Sequence, residues 1–145
     1  MQPDPLVAPQ ALRDARVKAG LTQHELARLV GVAGGERVSR WERGASAPRP
    51  EVLRRIAGIL NVGSADLLTP PQGEPDLRRL RVTAGLSARH VAERTHMSIP
   101  TYARWESGHI DRMPSRAALE TLAKALDVSL SEVTAALAAA RRGAK

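Results

Sequence analysis

The sequence predicts an all-α protein built as two five-helix units in tandem, and three observations carry that prediction. Residues 12–32, LRDARVKAGLTQHELARLVGV, recur as residues 77–97, LRRLRVTAGLSARHVAERTHM, and self-similarity on that scale marks one supersecondary unit used twice. In both copies the apolar residues recur at helical spacing, not in the alternation of a strand. Phe is absent and aromatics make up 2% of the chain, so each core has to be assembled from Leu, Val, Ile and Ala, which favours small helical packing.

The first unit reads as follows. Leu12, Ala15 and Ala19 form a helical stripe that Gly20 ends. Thr22 caps a second helix, with Glu25 three places on completing a capping box. Leu26, Ala27 and Val30 are its inner face. A third helix runs from about Gly35 to Arg43 and stops at Gly44. Pro48 and Pro50 precede a fourth, with Val52, Leu53, Ile56, Ile59 and Leu60 inward, and Ser64 starts a last short helix with Leu67 and Leu68 inward.

The second unit repeats the plan. Ser87 and Ser98 cap its second and third helices, and Leu119, Leu122 and Leu126 face inward from its fourth. Ser129 and Glu132 make a capping box for a final helix that continues through VTAALAAARRG. The copies fall out of step twice. The first holds one extra residue around Gly34 and Gly35, and the second holds two extra in the HIDRM stretch, residues 109–113. The expected boundaries are a flexible arm over 1–8, a first unit over 9–69, a Pro/Gly linker over 70–75, a divergent second unit over 76–137 and a basic tail over 138–145. Each unit is near the lower size limit for an autonomous core.

Net charge is +7, with ten basic against seven acidic residues in 1–70 and twelve against eight in 71–145. Such a balance points to a polyanionic partner. Nineteen of the 22 basic residues are Arg, which suits forked contacts to phosphate or guanine, although GC-rich codon usage yields the same bias. With no Cys in the chain, disulfides and thiolate metal sites are excluded. The histidines, at 24, 90, 96 and 109, lack the spacing of metal ligands. No phosphate loop follows a strand, and no nucleophile lies in a recognisable elbow. The expectation is a non-enzymatic protein with no cofactor and no metal. The N-terminal stretch has no signal-peptide pattern and no apolar run is long enough for a membrane span, so a soluble, cytoplasmic, nucleoid-associated protein is expected.

The same elements occur in order in both copies: Gly-Leu-Thr-Gln-x-Glu-Leu-Ala, Val-Ser-Arg-Trp-Glu-Arg-Gly, a Pro, and Leu-x-x-Ile-Ala-x-x-Leu-x-Val, with their second-copy counterparts. In this the chain resembles the phage repressor and Cro type (XRE-like) helix-turn-helix family, over residues 10–68 and 76–134. The resemblance implies a double-stranded DNA-binding protein, usually a bacterial or phage transcriptional regulator. Its third helix would lie in the major groove with its first turn at base edges. That implies base-reading positions at Gly35, Glu36, Arg37 and Arg40 in the first unit, and at Ile99, Pro100, Thr101 and Arg104 in the second. Arg40 has the fork for guanine. Glu36 either accepts from cytosine or pairs with Arg37. Gln23 corresponds to the family's phosphate-contacting glutamine; Arg43, Arg49, Arg89, Arg112 and Arg116 are further phosphate candidates. Family resemblance also implies interhelical ion pairs, Arg16 with Glu42 and Arg81 with Glu106, and makes Trp41 and Trp105 fillers at the helix junction.

The second copy departs where reading is expected. Ala88 replaces the glutamine, Ile99 and Pro100 replace the polar first turn, and Tyr102, in place of Val38, brings a hydroxyl that needs a partner. Three readings of that unit stay open: a second half-site reader in a covalent pseudo-dimer, a weaker grip on the DNA backbone, or an adaptor surface for a protein partner in an antitoxin-like module. The Ala-rich last helix adds a possible homodimer contact.

Overall fold

The computed structural model describes residues 6–71 and 73–143, which divide into two compact units between Pro70 and Pro71. In the first, α1 (Pro9–Lys18) carries Pro in its first turn, where a missing N–H costs nothing. Leu12 is fully buried, and Ala15 half-buried. Ala19, expected to continue the stripe, instead caps the helix and is exposed. The Thr22–Glu25 capping box opens α2 (Gln23–Val30), which ends at Gly31 in the left-handed conformation. Then follow α3 (Gly34–Glu42), α4 (Pro50–Leu60) and a single 3₁₀ turn over Ser64–Leu67. α3 packs on α1 and α2, α4 on α2, and the 3₁₀ turn closes against α1 and α4. Leu26, Val38, Leu53, Ile56 and Leu67 are fully buried.

The arm expected over residues 1–8 is not separate from the unit at residues 6–8. Val7 is buried and forms an antiparallel bridge with Leu68. The Ala8 amide donates to the Leu67 carbonyl and the Thr69 amide to that of Leu6. The apolar pair Leu6–Val7 covers the open side of a core that one 3₁₀ turn is too short to close, and two extended segments can satisfy each other's backbone groups there. Residues 1–5 lie outside the described ones.

The second unit has α5 (Leu77–Thr83), α6 (Ala88–Arg94), α7 (Ile99–Glu106), α8 (Arg116–Leu126) and α9 (Leu130–Gly143). Ser87, Ser98 and Ser115 each accept a cap hydrogen bond from the amide three residues on, and Ser129 and Glu132 form the box that opens α9. Leu77, Val91, Tyr102, Leu122, Val133 and Leu137 anchor one core cluster, with Trp105 packed half-buried against it. α9 packs across α5, α7 and α8. It replaces the 3₁₀ turn with a full helix, and its last turns take in residues 138–143, which were expected as a tail. Among the described residues no helix is long and apolar enough to cross a membrane.

Candidate nucleic-acid interface

The expected reading helix α3 is held on its inner side by Val38 and Trp41, both buried. Its first turn is set by two glycines with different duties. Gly34 has φ +75 with open space around it, a left-handed turn position that suits Gly and accommodates the extra residue of the first copy. Gly35 faces inward: a Cβ there would lie 3.0 Å from the backbone nitrogen of His24 and 3.2 Å from its Cα. Its missing side chain therefore serves the approach of α3 to α2.

Glu36, Arg37 and Arg40 are exposed. Glu36 does not reserve itself for Arg37. One of its oxygens lies 3.7 Å from Arg40 Nε and 3.5 Å from Arg43 Nη2. Exposed pairs of this kind are worth little and exchange readily, so both arginines can trade the carboxylate for a stronger anion. Arg37, Arg40 and Arg49 line one concavity with Ser46 and Pro48, between the end of α3 and the start of α4.

Glu42 is a hydrogen-bond hub. Arg16 reaches it from α1 with Nε donating to Oε2 at 2.6 Å and Nη2 to Oε1 at 3.0 Å. Arg16 Nη1 donates to the Leu21 carbonyl at 2.7 Å, which fixes the fork. The two side chains are 11% and 4% exposed. Burial pushes the Glu42 carboxyl up, but the hydrogen bonds from Arg16 and Gln23, with the Arg16 charge, outweigh burial and hold it below the usual carboxylate range. The Glu42 hydrogen bond in turn raises Arg16. Gln23, expected at a phosphate, donates from Nε2 to Glu42 Oε1 at 3.0 Å. Its amide nitrogen carries a second N–H, so tethering Glu42 does not exhaust it.

In the second unit Arg81 Nε donates to Glu106 Oε1 at 2.5 Å, and Arg81 Nη1 to the Leu86 carbonyl at 3.0 Å. Ala88 has no donor to offer from α6. The Tyr102 hydroxyl, on α7 itself, donates to Glu106 Oε1 at 2.9 Å. Tyr102 is fully buried; burial and then the Glu106 charge push its phenol far above the usual range, so it remains a donor. Both substitutions, Ala88 and Tyr102, are legible in the sequence, but not that one compensates for the other. The clue was available: a lost amide donor and a gained hydroxyl around one carboxylate.

The first turn of α7 exposes Ile99, Pro100 and Thr101. Thr101 Oγ1 accepts from Ser98 Oγ at 2.8 Å within the helix cap. Arg104 is exposed, and Pro100 stands where Glu36 stands in α3, so the neighbouring carboxylate is gone. Arg89 lies exposed on α6 and Arg112 in the α7–α8 loop, whereas Arg116 pairs with Glu120 at 2.9 Å. No group of three His, Asp or Glu side chains that could hold a metal ion occurs among the described residues.

Comparison with known families agrees with this geometry. A family described as Helix-turn-helix matches residues 12–67, and one described as Helix-turn-helix domain matches residues 76–136. No curated protein and no solved structure matches the chain. The two matches fall on the two compact units and together span most of the sequence. In both units the second and third helices pack against each other, α2 with α3 and α6 with α7, and in each the carboxylate after the Trp is tied back to the first helix. The chain belongs among the helix-turn-helix proteins and carries two such domains in tandem, an arrangement consistent with the XRE-like Cro type.

Proposed function

We propose that the chain is a sequence-specific double-stranded DNA-binding regulator of transcription, of bacterial or phage type and acting in the cytoplasm at the nucleoid, in which α3 is the main base reader and the second unit adds grip or a second half-site. The observation that carries this reading is the contrast between the exposed faces of α3 and α7. α3 presents Glu36, Arg37 and Arg40, all polar and exposed, over a core-anchored inner face. α7 presents Ile99, Pro100 and Thr101, whose hydroxyl is engaged by Ser98, with one charge, Arg104, a turn later. Hydrogen-bonding side chains discriminate base edges, by about 1–3 kcal/mol for a good bidentate pair, whereas an apolar turn reaches only a thymine methyl group.

Selection of bound duplexes from a random pool tests the proposal. One motif should enrich, and retention should weaken with salt. On the selected site Arg40→Ala should weaken binding about tenfold or more and Arg104→Ala less. Equal losses would mean two equivalent readers, and no enriched motif would sink the reading. Ile99, 42% exposed, favours a second reading, the adaptor. A stoichiometric protein retained by the full chain after nuclease treatment, and lost in Ile99→Asp, would favour that alternative.

A further inference from the structure

α7, the α7–α8 loop and the end of α9 enclose an open concavity of about 680 Å³, lined by Arg104, His109, Asp111, Arg141 and Arg142. A smaller recess beside it adds Thr101 and Arg112. We infer that this concavity is a phosphate-binding site in the second unit, assembled by its C-terminal helix. The inference rests on the DNA-binding reading only where the phosphate is supplied by a duplex.

Four observations lead there. First, the charge is uncommitted. Arg104, Arg112 and Arg142 have no ion-pair partner among the described residues, while the matching face of α3 holds Glu36 against Arg40 and Arg43. The sole carboxylate on the lining is Asp111, against four arginines. Second, the site is braced. Arg141 Nη2 donates to the Asp111 carbonyl at 3.0 Å, which ties the end of α9 to the loop across thirty residues and leaves the rest of its fork for a ligand. His109 Nδ1 lies 2.9 Å from Ser107 Oγ, which orients the ring.

Third, both walls are longer than their counterparts in the first unit. The loop wall is lengthened by the two extra residues within 109–113. The helical wall is the part of α9 beyond the length of the Ser64–Leu67 turn; that turn stops far short of the matching place. Fourth, the lining fits the chemistry. Four arginines lining an open recess, with Ile110 and Ala138 between them, suit phosphate, which guanidinium forks bind bidentately. An apolar effector would need a deeper, drier pocket.

Two arms test the site on the full chain. In the first, inorganic phosphate is titrated at constant ionic strength while NMR follows the Gly108 and His109 amides and the Arg141 Nε–H. Saturable shifts are expected in the native chain and should vanish in Arg141→Ala/Arg142→Ala. Arg142→Glu alone, at an exposed position, guards against a folding defect. In the second arm, duplex affinity is measured against salt. If DNA supplies the phosphate, the double variant should lose about two units of slope, since each contact contributes about 0.9. Shifts with an unchanged slope assign the site to a free phosphate-bearing ligand. An unchanged slope with no saturable shifts overturns the inference while leaving the DNA-binding reading standing. A native chain that binds no duplex overturns that reading, and the phosphate titration alone then decides the site.

Discussion

The hubs at Glu42 and Glu106 occupy the same place in two copies of one fold and are satisfied differently. In the first unit the carboxylate receives Arg16 from α1 and Gln23 from α2, so three helices meet on it. In the second it receives Arg81 from α5 and Tyr102 from its own helix, and α6 is left out. What is kept between the copies is the number of donor side chains around a half-buried charge, not the residues that supply them. A carboxylate taken from water needs its lone pairs met, and any N–H or O–H in reach will serve. The exchange has a consequence at the surface. The first unit keeps an amide at the start of α2, close to where a helix N-terminus attracts phosphate, whereas the second puts Ala88 there and buries its donor.

The sharpest way to break the comparison is to remove a hub. Glu42→Ala should destabilise the first unit by about 3 kcal/mol, because Arg16 is left buried and unpaired. The sign with pH follows from its depressed carboxyl. The contribution is complete above about pH 4.3, the ordinary glutamate value, and is lost as pH falls through the lower folded value. The variant's deficit in a denaturation series should therefore be full at pH 7 and shrink on acidification. A constant deficit would mean that packing, not the charge, was lost. Next in size, Tyr102→Phe should cost the second unit about 2 kcal/mol and Gln23→Ala the first unit about 1 kcal/mol, since water can replace the less buried donor. A reversed order in chemical denaturation would show that Tyr102 matters by shape alone.

Gly35→Ala should cost about 1–2 kcal/mol by overpacking α3 against the His24 backbone, although alanine favours helices. A stabilised variant would mean that α2 and α3 separate easily. The smallest effect concerns the turn between these helices. Its left-handed residue is Gly31 in the first unit, with φ +88, and His96 in the second, with φ +58. His96→Gly relieves a strained position, offset by the freedom glycine gains when unfolded, and should raise the second unit's midpoint slightly, by no more than about 1 kcal/mol. A lowered midpoint would show that the His96 side chain contributes a contact of its own.

Much of this fold is legible in the sequence because its signals are local. Thr22, Ser87, Ser98 and Ser129 announce helix starts within four residues, and Leu53, Ile56 and Leu60 announce an inner face within two turns. The role of Gly35 is not legible, since it depends on how closely the backbone of another helix approaches. Neither is the tie from Arg141 to the Asp111 carbonyl, because no side-chain pattern marks a carbonyl thirty residues away. Glu36 was readable as a charge but not as a shared partner of Arg40 and Arg43, which requires the helix to place them around it. The family motifs themselves located the hubs; side-chain geometry was needed to say what each residue holds.

The bridge between Val7 and Leu68 brings the entry and exit of the first unit side by side. Such a domain is in effect a closed ring of chain with its two ends at a common point. A short connector from residue 69 back to residue 6 would let new termini open in a surface turn, such as the one at Gly20, without unpicking the core. It can also be set into a loop of a host protein as a single-doorway insert, carrying α3 with it intact.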